Sequence, residues 1–283
     1  MAGVDTYEIP ALKPRLMQLA SVPAGHRDYL ELILDGVMGD PALTGEAFRM
    51  ANSPVYRGNR RCTSLRQCVM RVGPRAYVSH VLKKYFVSVF SPASAVNYEL
   101  WQHSMLVASA NRFLARMFSH LSITPEWAFL MGIMHNIGSL VLAHNAEEKY
   151  TEVVQGVSLF SSRLLDVERS TFGTDHQELG EVVAGSWGLP ADVVAVMASH
   201  HANIADLEGT PHRDCVLLTQ LGLSMTVAYY EDPDEAAADP GRPATHEIAN
   251  ALGLRPPDET WLAESLLAIN DEAQVDLQVI LDE

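Results

Sequence analysis

The sequence predicts an all-α fold, and three observations support this prediction. Apolar side chains recur every three or four residues along most of the chain, which is the spacing of one face of an α-helix. Pro and Gly residues separate these segments, and several Pro residues follow Asp or Thr, as they do at the first position of a helix. The chain has 283 residues and is 48% hydrophobic, so it can bury a substantial core in one large domain or two small ones.

The N-terminal segment, residues 10–95, has the pattern of short helices. Leu12, Leu16 and Leu19 form the first apolar stripe. Asp40 followed by Pro41 predicts a capped helix start, because Asp accepts hydrogen bonds from the first free backbone N–H groups. Further helices are predicted over residues 28–38 and from Ser64 to a close at Gly73.

Residues 96–230 predict longer helices that carry histidines, around the apolar run AFLMGIMHNIGSLVLA at Ala128–Ala143. His135 and Asn136 interrupt this run, and buried polar side chains need a metal, a ligand or a hydrogen-bond network. We expect one continuous helix here, with Leu130, Ile133, Met134 and Ile137 on one face. We also expect no apolar run long enough to cross a membrane.

The C-terminal segment, residues 231–283, begins with the acidic, Pro-rich string EDPDEAAADPGRPAT, which predicts a loosely attached loop. Two short amphipathic helices are expected after it, at His246–Leu254 and Glu259–Asn270. We expect the last residues, up to Glu283, to form a frayed end.

Charge is unevenly distributed along the chain, which has a formal net charge of −15. Residues 231–283 hold 14 Asp and Glu residues against two arginines, whereas residues 57–84 hold eight Arg and Lys residues and no acid. We interpret the basic stretch as a solvated helix face or as a surface that pairs with the acidic segment of the same chain. The alternative is a phosphate-binding patch. Nucleic-acid binding is disfavoured because the protein is acidic and the stretch lacks interleaved aromatic residues.

The cysteines and the N-terminal residues bear on location. Cys62, Cys68 and Cys215 form no C-x-x-C pair, and an odd number of cysteines is typical of reduced thiols. The string MAGVDTYEIP lacks the basic and apolar regions of a signal peptide. We therefore expect a cytoplasmic protein that does not bind membranes.

Several strings resemble a known family. MHNIGSLVL is similar to the LHDIGKLVL signature of the HD superfamily of metal-dependent phosphohydrolases. DPALTGEAFRMANSPVY and TSLRQCVMRVGPRAY resemble its HDOD branch, the HD-related output domains of bacterial signalling. The segments GTDHQELG, SWGLP and SHH resemble later motifs of HDOD and HD-GYP proteins. This resemblance implies an N-terminal helical bundle (1–95) packed on an HD-type helical core (96–230), followed by an acidic loop and C-terminal helices (231–283).

The resemblance also implies a metal site with altered ligands. The family's metal-ligand positions correspond to His103, His135, Asn136 and Gln220, and HD-GYP enzymes suggest His176, His200 and His201 for a second metal. Asn136 and Gln220 stand where the family has Asp, and Ser139 where many members have Lys.

An amide provides no charge, and each lost negative charge beside a cation costs roughly several kcal/mol before solvation. Two interpretations stay open, a metal-free polar core with no cofactor and a site for a single Zn, Ni or Fe ion held by neutral imidazoles.

The function expected from this resemblance is non-catalytic. We expect a signalling or regulatory module that binds a signalling protein or a small ligand, such as a nucleotide, through the groove between its helical subdomains. The alternative is a residual metal-dependent phosphohydrolase that acts on a nucleotide or phosphodiester and uses His103, His135, His176 and His200 as ligands. A third hypothesis assigns an anionic signalling nucleotide to the basic stretch.

Overall fold

The computed structural model describes residues 7–22, 26–161, 163–230, 244–254 and 259–281. These residues form α-helices and two short 3-10 segments, and no strand occurs within the described ranges. The predicted all-α fold is therefore confirmed. The loop predicted over 231–245 lies outside the described residues up to 243, and a helix already starts at Thr245.

The chain divides into two compact units. The first comprises residues 1–9, 90–186 and 191–283, and the second comprises residues 10–89 and 187–190. The division predicted at residues 95 and 230 concerns sequence segments and stays a prediction.

The second unit contains five helices: α1 (Pro14–Ala20), α2 (Tyr29–Val37), α3 (Pro41–Ala51), α4 (Leu65–Val72) and α5 (Pro74–Val89). Its core includes Leu19, Ile33 and Phe86, each at most 1% exposed. The Trp187 ring stacks on Phe86 at 5.1 Å between centroids, and its Nε1–H donates to the Pro10 carbonyl oxygen at 2.8 Å. The Trp187–Pro190 turn thus belongs with the N-terminal helices in this packing.

The first unit contains the remaining helices. They are α6 (Ala95–Met117), α7 (Pro125–Met134), α8 (Ile137–Asn145), α9 (Glu147–Gly156), α10 (Leu164–Phe172), α11 (His176–Ser186), α12 (Ala191–Ser199), α13 (Arg213–Tyr230), α14 (Thr245–Ala251) and α15 (Glu259–Leu281). The 3-10 segments are Ser119–Leu121 and Ile204–Leu207. Helices α6, α7 and α13 pack against one another and form the centre of this unit.

Two of the predicted helix boundaries show the expected capping. Asp40 Oδ1 accepts the backbone N–H groups of Ala42 and Leu43 at 2.9 and 3.0 Å, and Pro41 is the first residue of α3. Helix α4 starts after Ser64 and ends before Gly73, whose φ of 94° favours glycine. These predictions are confirmed.

The central apolar run is not one continuous helix, so that prediction is wrong. Helix α7 ends at Met134, the chain leaves helical geometry at Asn136, and α8 starts at Ile137. Residues 127–134 of α7 and 137–143 of α8 are all buried, so no single face is selected by periodicity. The break places His135 at the end of α7 and Asn136 directly before α8, both within the core.

The same run corrects the expectation about membrane-spanning length. Within the described ranges, Pro125–Asn145 is long and apolar enough to cross a membrane by length and composition alone. Its apolar window is 94% buried inside the protein, as in the core helices of folded domains.

The C-terminal helix is longer than expected. Helix α15 continues to Leu281, so the predicted end of this helix at Asn270 is wrong, and residues 282–283 lie outside the described residues. Arg112 of α6 binds Glu272 at 2.8 Å and Asp276 at 2.6 Å, and its guanidinium lies 4.2 Å from the centre of the Phe129 ring. These contacts hold α15 along the helix that carries His103.

Candidate functional site

Five histidines from four parts of the first unit lie together, and we call them the histidine cluster. His103 lies within α6, His135 directly follows α7, His176 starts α11, and His200 and His201 directly follow α12. Four of them are at most 3% exposed, namely His103, His135, His176 and His200, and His201 is half-buried. The structure therefore brings together all five histidines that the family resemblance selected.

The cluster consists of two close pairs. His103 Nε2 lies 3.0 Å from His135 Nε2, and His176 Nε2 lies 3.1 Å from His200 Nε2. The perpendicular rings of His135 and His200 join the pairs, with centroids 4.9 Å apart. His201 lies beside the second pair, with its ring centroid 4.4 Å from that of His200. We refer to His103 and His135 as the His103 end and to the other three as the His176 end.

Two glycines allow the helices to bring these rings so close. A Cβ atom on Gly132 would lie 2.4 Å from the Ala108 Cα atom, so α7 contacts the backbone of α6 directly. A Cβ atom on Gly138 would lie 1.9 Å from the His176 carbonyl oxygen. Any larger side chain at either position would separate the helices that carry the histidines.

The Nδ1 atoms of three histidines have acceptors that fix their protons. His135 Nδ1 lies 2.6 Å from the Gly132 carbonyl oxygen, and His200 Nδ1 lies 3.0 Å from the Val196 carbonyl oxygen. A carbonyl oxygen can only accept a hydrogen bond, so both Nδ1 atoms carry a proton and both neutral rings present a lone pair at Nε2. His176 Nδ1 donates to the Glu168 carboxylate at 2.6 Å, which gives the same arrangement.

At the His103 end, the close contact between the two Nε2 atoms can be a single hydrogen bond. His103 can carry its proton on Nε2 and donate it to the lone pair of His135 Nε2. His103 Nδ1 is then an acceptor, and it is buried without a hydrogen-bond partner within the described residues. The His103 ring packs edge-on against Phe160, with centroids 4.5 Å apart. No cation is needed to hold this pair together.

The His176 end differs because two lone pairs face each other. His176 Nε2 and His200 Nε2 both point their lone pairs into a gap of 3.1 Å, which requires a proton or a metal ion between them. Donor nitrogens of His176, His200 and His201 all lie within 4.8 Å of one another. A proton bridges two nitrogens, whereas a metal ion can use all three.

Sequence reasoning missed two residues that support this end. Glu168 is fully buried in α10, and its Oε2 accepts both the backbone N–H of His176 at 2.9 Å and its Nδ1–H at 2.6 Å. Tyr150 of α9 donates its hydroxyl to Glu168 Oε1 at 2.7 Å. The available signal was a Glu on an apolar face, since Leu164, Glu168 and Phe172 follow one another at i, i+4 and i+8 and are all buried.

The two amides at the acid positions have other hydrogen-bond partners. Asn136 is 2% exposed, and its Oδ1 accepts the Ser139 hydroxyl at 2.6 Å. Gln220 of α13 is 4% exposed and donates its Nε2–H to the Ala202 carbonyl oxygen at 2.7 Å. Gln220 Oε1 is buried without a partner within the described residues. Both residues stay candidate positions by resemblance.

Burial keeps three of the imidazoles neutral. It lowers the pKa of His135 to about 4, although the hydrogen bond to Gly132 acts in the opposite direction. Burial also lowers the pKa of His103 and that of His200 well below 6.5, and the neighbouring histidines add to the effect. Neutral imidazoles are the form that binds metal ions.

Comparison with known proteins identifies the family. The model of the HDOD domain matches residues 9–203. The chain belongs to the HDOD domain family. An uncharacterized protein of Treponema pallidum (strain Nichols) is 24% identical over 197 residues, which are 69% of this chain and 38% of the relative. This chain thus spans well under half of that relative's length.

Solved structures share the fold. An HDOD domain protein of unknown function from Geobacter sulfurreducens has a TM-score of 0.67 at 21% identity, over 98% of this chain and 93% of that one. A proposed signal transduction protein from Marinobacter aquaeolei VT8 has a TM-score of 0.69 at 21% identity, over 98% and 60%. A proposed phosphohydrolase from Shewanella amazonensis SB2B has a TM-score of 0.64 at 21% identity, over 97% and 96%.

The HD relationship implies metal ions, and the donor set tests which ions fit. Hard cations such as Mg²⁺ or Mn²⁺ prefer carboxylate and water oxygens, and amides stand at the two positions, Asn136 and Gln220, where the resemblance places acids. Three neutral imidazole nitrogens suit one borderline ion such as Zn, Ni or Fe. The residues therefore fit one transition-metal ion at His176, His200 and His201, where it would act as a Lewis acid when bound.

Proposed function

We propose that this HDOD domain is a non-catalytic signalling module that binds a partner protein or a small ligand, and that its histidine cluster is a degenerate metal site. The observation that carries the proposal is the pair of amides, Asn136 and Gln220, at the positions where the family resemblance places metal-binding acids. A hydrolytic site with two dications needs those carboxylates to hold the metals and to offset their charge.

The surroundings of the amides support this interpretation. Asn136 Oδ1 accepts the Ser139 hydroxyl, and Gln220 Nε2–H donates to the Ala202 carbonyl oxygen, so each amide has a hydrogen-bond partner within the core. His103 and His135 are at most 3% exposed, which leaves a phosphorylated substrate no direct access to their nitrogens. The Glu168 carboxylate acts on His176 Nδ1 and therefore does not replace the missing acids as a metal ligand.

The solved relatives are compatible with either of two functions. One is described in connection with signal transduction and another as a proposed phosphohydrolase. We favour signalling because the scaffold and its histidines are retained in this chain while both acids are absent. Residual metal-dependent hydrolysis of a nucleotide or phosphodiester is the competing function.

A turnover assay tests the proposal. The purified protein is incubated with bis-p-nitrophenyl phosphate and, in parallel, with Mn(II), Ni(II) or Fe(II), and p-nitrophenol release is followed. We expect no release beyond that of the metal alone. Release that a chelator removes, and that His103→Ala and His135→Ala each abolish, would establish the hydrolase and refute the signalling proposal.

A further inference from the structure

The Glu168 carboxylate is placed as a support for the His176 end of the cluster. Its Oε2 accepts two hydrogen bonds from His176, one from the backbone N–H and one from Nδ1–H. The carboxylate is fully buried, as is the His176 ring. Burying a carboxylate costs free energy unless several donors bind it, and the two hydrogen bonds from His176 offset part of that cost.

A second set of contacts holds Glu168 itself. Tyr150 donates its hydroxyl to Oε1, and the same hydroxyl interacts with Ser139. Burial and the neighbouring Glu168 raise the pKa of Tyr150 well above 10, so its hydroxyl stays a donor. Ser139 in turn donates to Asn136. A continuous chain of buried polar contacts thus leads from the altered HD signature to the His176 end.

We propose that Glu168 is a positioning residue that fixes the proton of His176 on Nδ1 and directs its Nε2 lone pair, with His200 and His201, at one borderline transition-metal ion. This inference rests on the degenerate metal site of the proposed function and adds the residue that makes one end of that site competent. The carboxylate also supplies, through the imidazole, a negative charge near the ion where Asn136 and Gln220 supply none.

The geometry explains why the ion belongs at this end. A hydrogen-bonded carboxylate raises the basicity of the ligating imidazole and holds its ring in one orientation. The Val196 carbonyl oxygen likewise holds the His200 ring with its Nε2 lone pair toward His176. His135 has a carbonyl partner too, but its lone pair is occupied by the N–H of His103.

The first test measures the proton position without any metal. Long-range proton–nitrogen NMR on histidine-labelled, metal-free protein reports which nitrogen of His176 carries hydrogen. We expect the proton on Nδ1 in the natural protein and a mixture of both tautomers in Glu168→Gln, because an amide has one acceptor oxygen for two donors. An Nδ1 of His176 that carries no proton in the natural protein, whatever the state of its Nε2, would overturn the proposal.

The second test measures the affinity for Co(II) through its visible absorption when bound. We expect Glu168→Gln to bind about 10 to 100 times more weakly, the usual cost of losing such a supporting partner. The affinity of Tyr150→Phe should lie between those of the natural protein and Glu168→Gln. The control Glu181→Gln changes an exposed Glu of α11, the helix that His176 starts, and should match the natural protein. Unchanged affinity in a folded Glu168→Gln, or no Co(II) binding by the natural protein, would overturn the proposal.

Circular dichroism shows whether each variant is folded. If Glu168→Gln does not fold, the tautomer of His176 in the natural protein and the affinity of Tyr150→Phe decide the question by the same criteria. Chelator-sensitive phosphodiester turnover would refute the signalling proposal, whereas the His176 tautomer and the Co(II) affinity of Glu168→Gln decide this inference. The two failures are therefore distinguishable.

Discussion

At the His103 end of the cluster, one N–H···N hydrogen bond can satisfy the close contact between two rings, and an amide, Asn136, follows His135 where the resemblance places an acid. At the His176 end, two lone pairs face each other 3.1 Å apart, a third imidazole lies alongside, and a buried carboxylate fixes one ring. The same side chain therefore forms a neutral packing element at one end and a candidate metal ligand at the other. The difference is set by what each Nδ1 contacts and by where the acids are.

The largest effect is expected from returning negative charge to the two amide positions, Asn136 and Gln220. Asn136→Asp combined with Gln220→Glu places two carboxylates in the core, and Glu at 220 would face the Ala202 carbonyl oxygen. We expect the metal-free variant to lose about 3 to 5 kcal/mol of unfolding free energy, because buried charges lack partners. Urea denaturation at neutral pH measures this loss.

Excess Mn(II) should then recover part of that stability in the double variant, since a hard cation offsets both carboxylates. The matched control is Asn59→Asp with Gln274→Glu, which makes the same changes at exposed positions. Equal stability of the two double variants would show that the acid positions do not lie in an enclosed site.

The contact between α8 and α11 underlies the His176 end, and Gly138 controls it. Gly138→Ala places a methyl group 1.9 Å from the His176 carbonyl oxygen, so the helices must separate. We expect a loss of about 3 kcal/mol in thermal or urea unfolding, at the upper end for overpacking. Gly156→Ala in α9, where a Cβ meets no atom within 4 Å, should leave stability unchanged or slightly higher. A Gly138→Ala protein as stable as Gly156→Ala would contradict the close packing.

Removing one histidine from each end compares their metal affinities directly. His176→Ala should weaken Zn(II) binding by more than about 100-fold, because a ligand contributes more than the supporting partners that cost 10 to 100-fold. His103→Ala should weaken it by less than about threefold. Competition with a chromogenic chelator measures both constants. Equal losses in the two variants would place the metal between the ends.

The smallest expected effect is the acid sensitivity of the metal-free protein. The pKa of His135 is lowered from 6.5 to about 4, so between these values the unfolded chain binds more protons than the folded one. Stability is therefore complete above about pH 6.5 and falls as the pH decreases toward 4. His135→Gln should reduce the slope of unfolding free energy against pH by up to one proton. An unchanged slope in urea titrations with chelator present would contradict the buried neutral state of His135.

Much of the scaffold could be predicted from the sequence, for physical reasons that particular residues show. The Asp40–Pro41 start and the Gly73 stop act locally, and so the pattern alone specifies them. The histidines were found through their resemblance to a signature. The break at His135 and Asn136 was missed because an apolar run that is buried on all sides has no periodic face to show where a helix ends.

The support of the site could not be predicted in the same way. Glu168 lies eight residues before His176, and the contact depends on the turn between α10 and α11 that brings the carboxylate back to the ring. Gly138 was part of the recognised signature, but its contact with the His176 carbonyl oxygen is a tertiary feature. Such contacts depend on how the helices pack. The one indication of them in the sequence is a charged residue, such as Glu168, on an otherwise apolar helix face.

The stoichiometry of bound metal tests the account most directly. Untagged protein is saturated with Zn(II) and, separately, with Mn(II), passed through a desalting column and measured by inductively coupled plasma mass spectrometry. A single transition-metal site at the His176 end predicts one Zn(II) per chain, lost in His176→Ala and kept in His103→Ala, and no retained Mn(II). Two retained ions per chain, or Zn(II) that His176→Ala keeps, would contradict it.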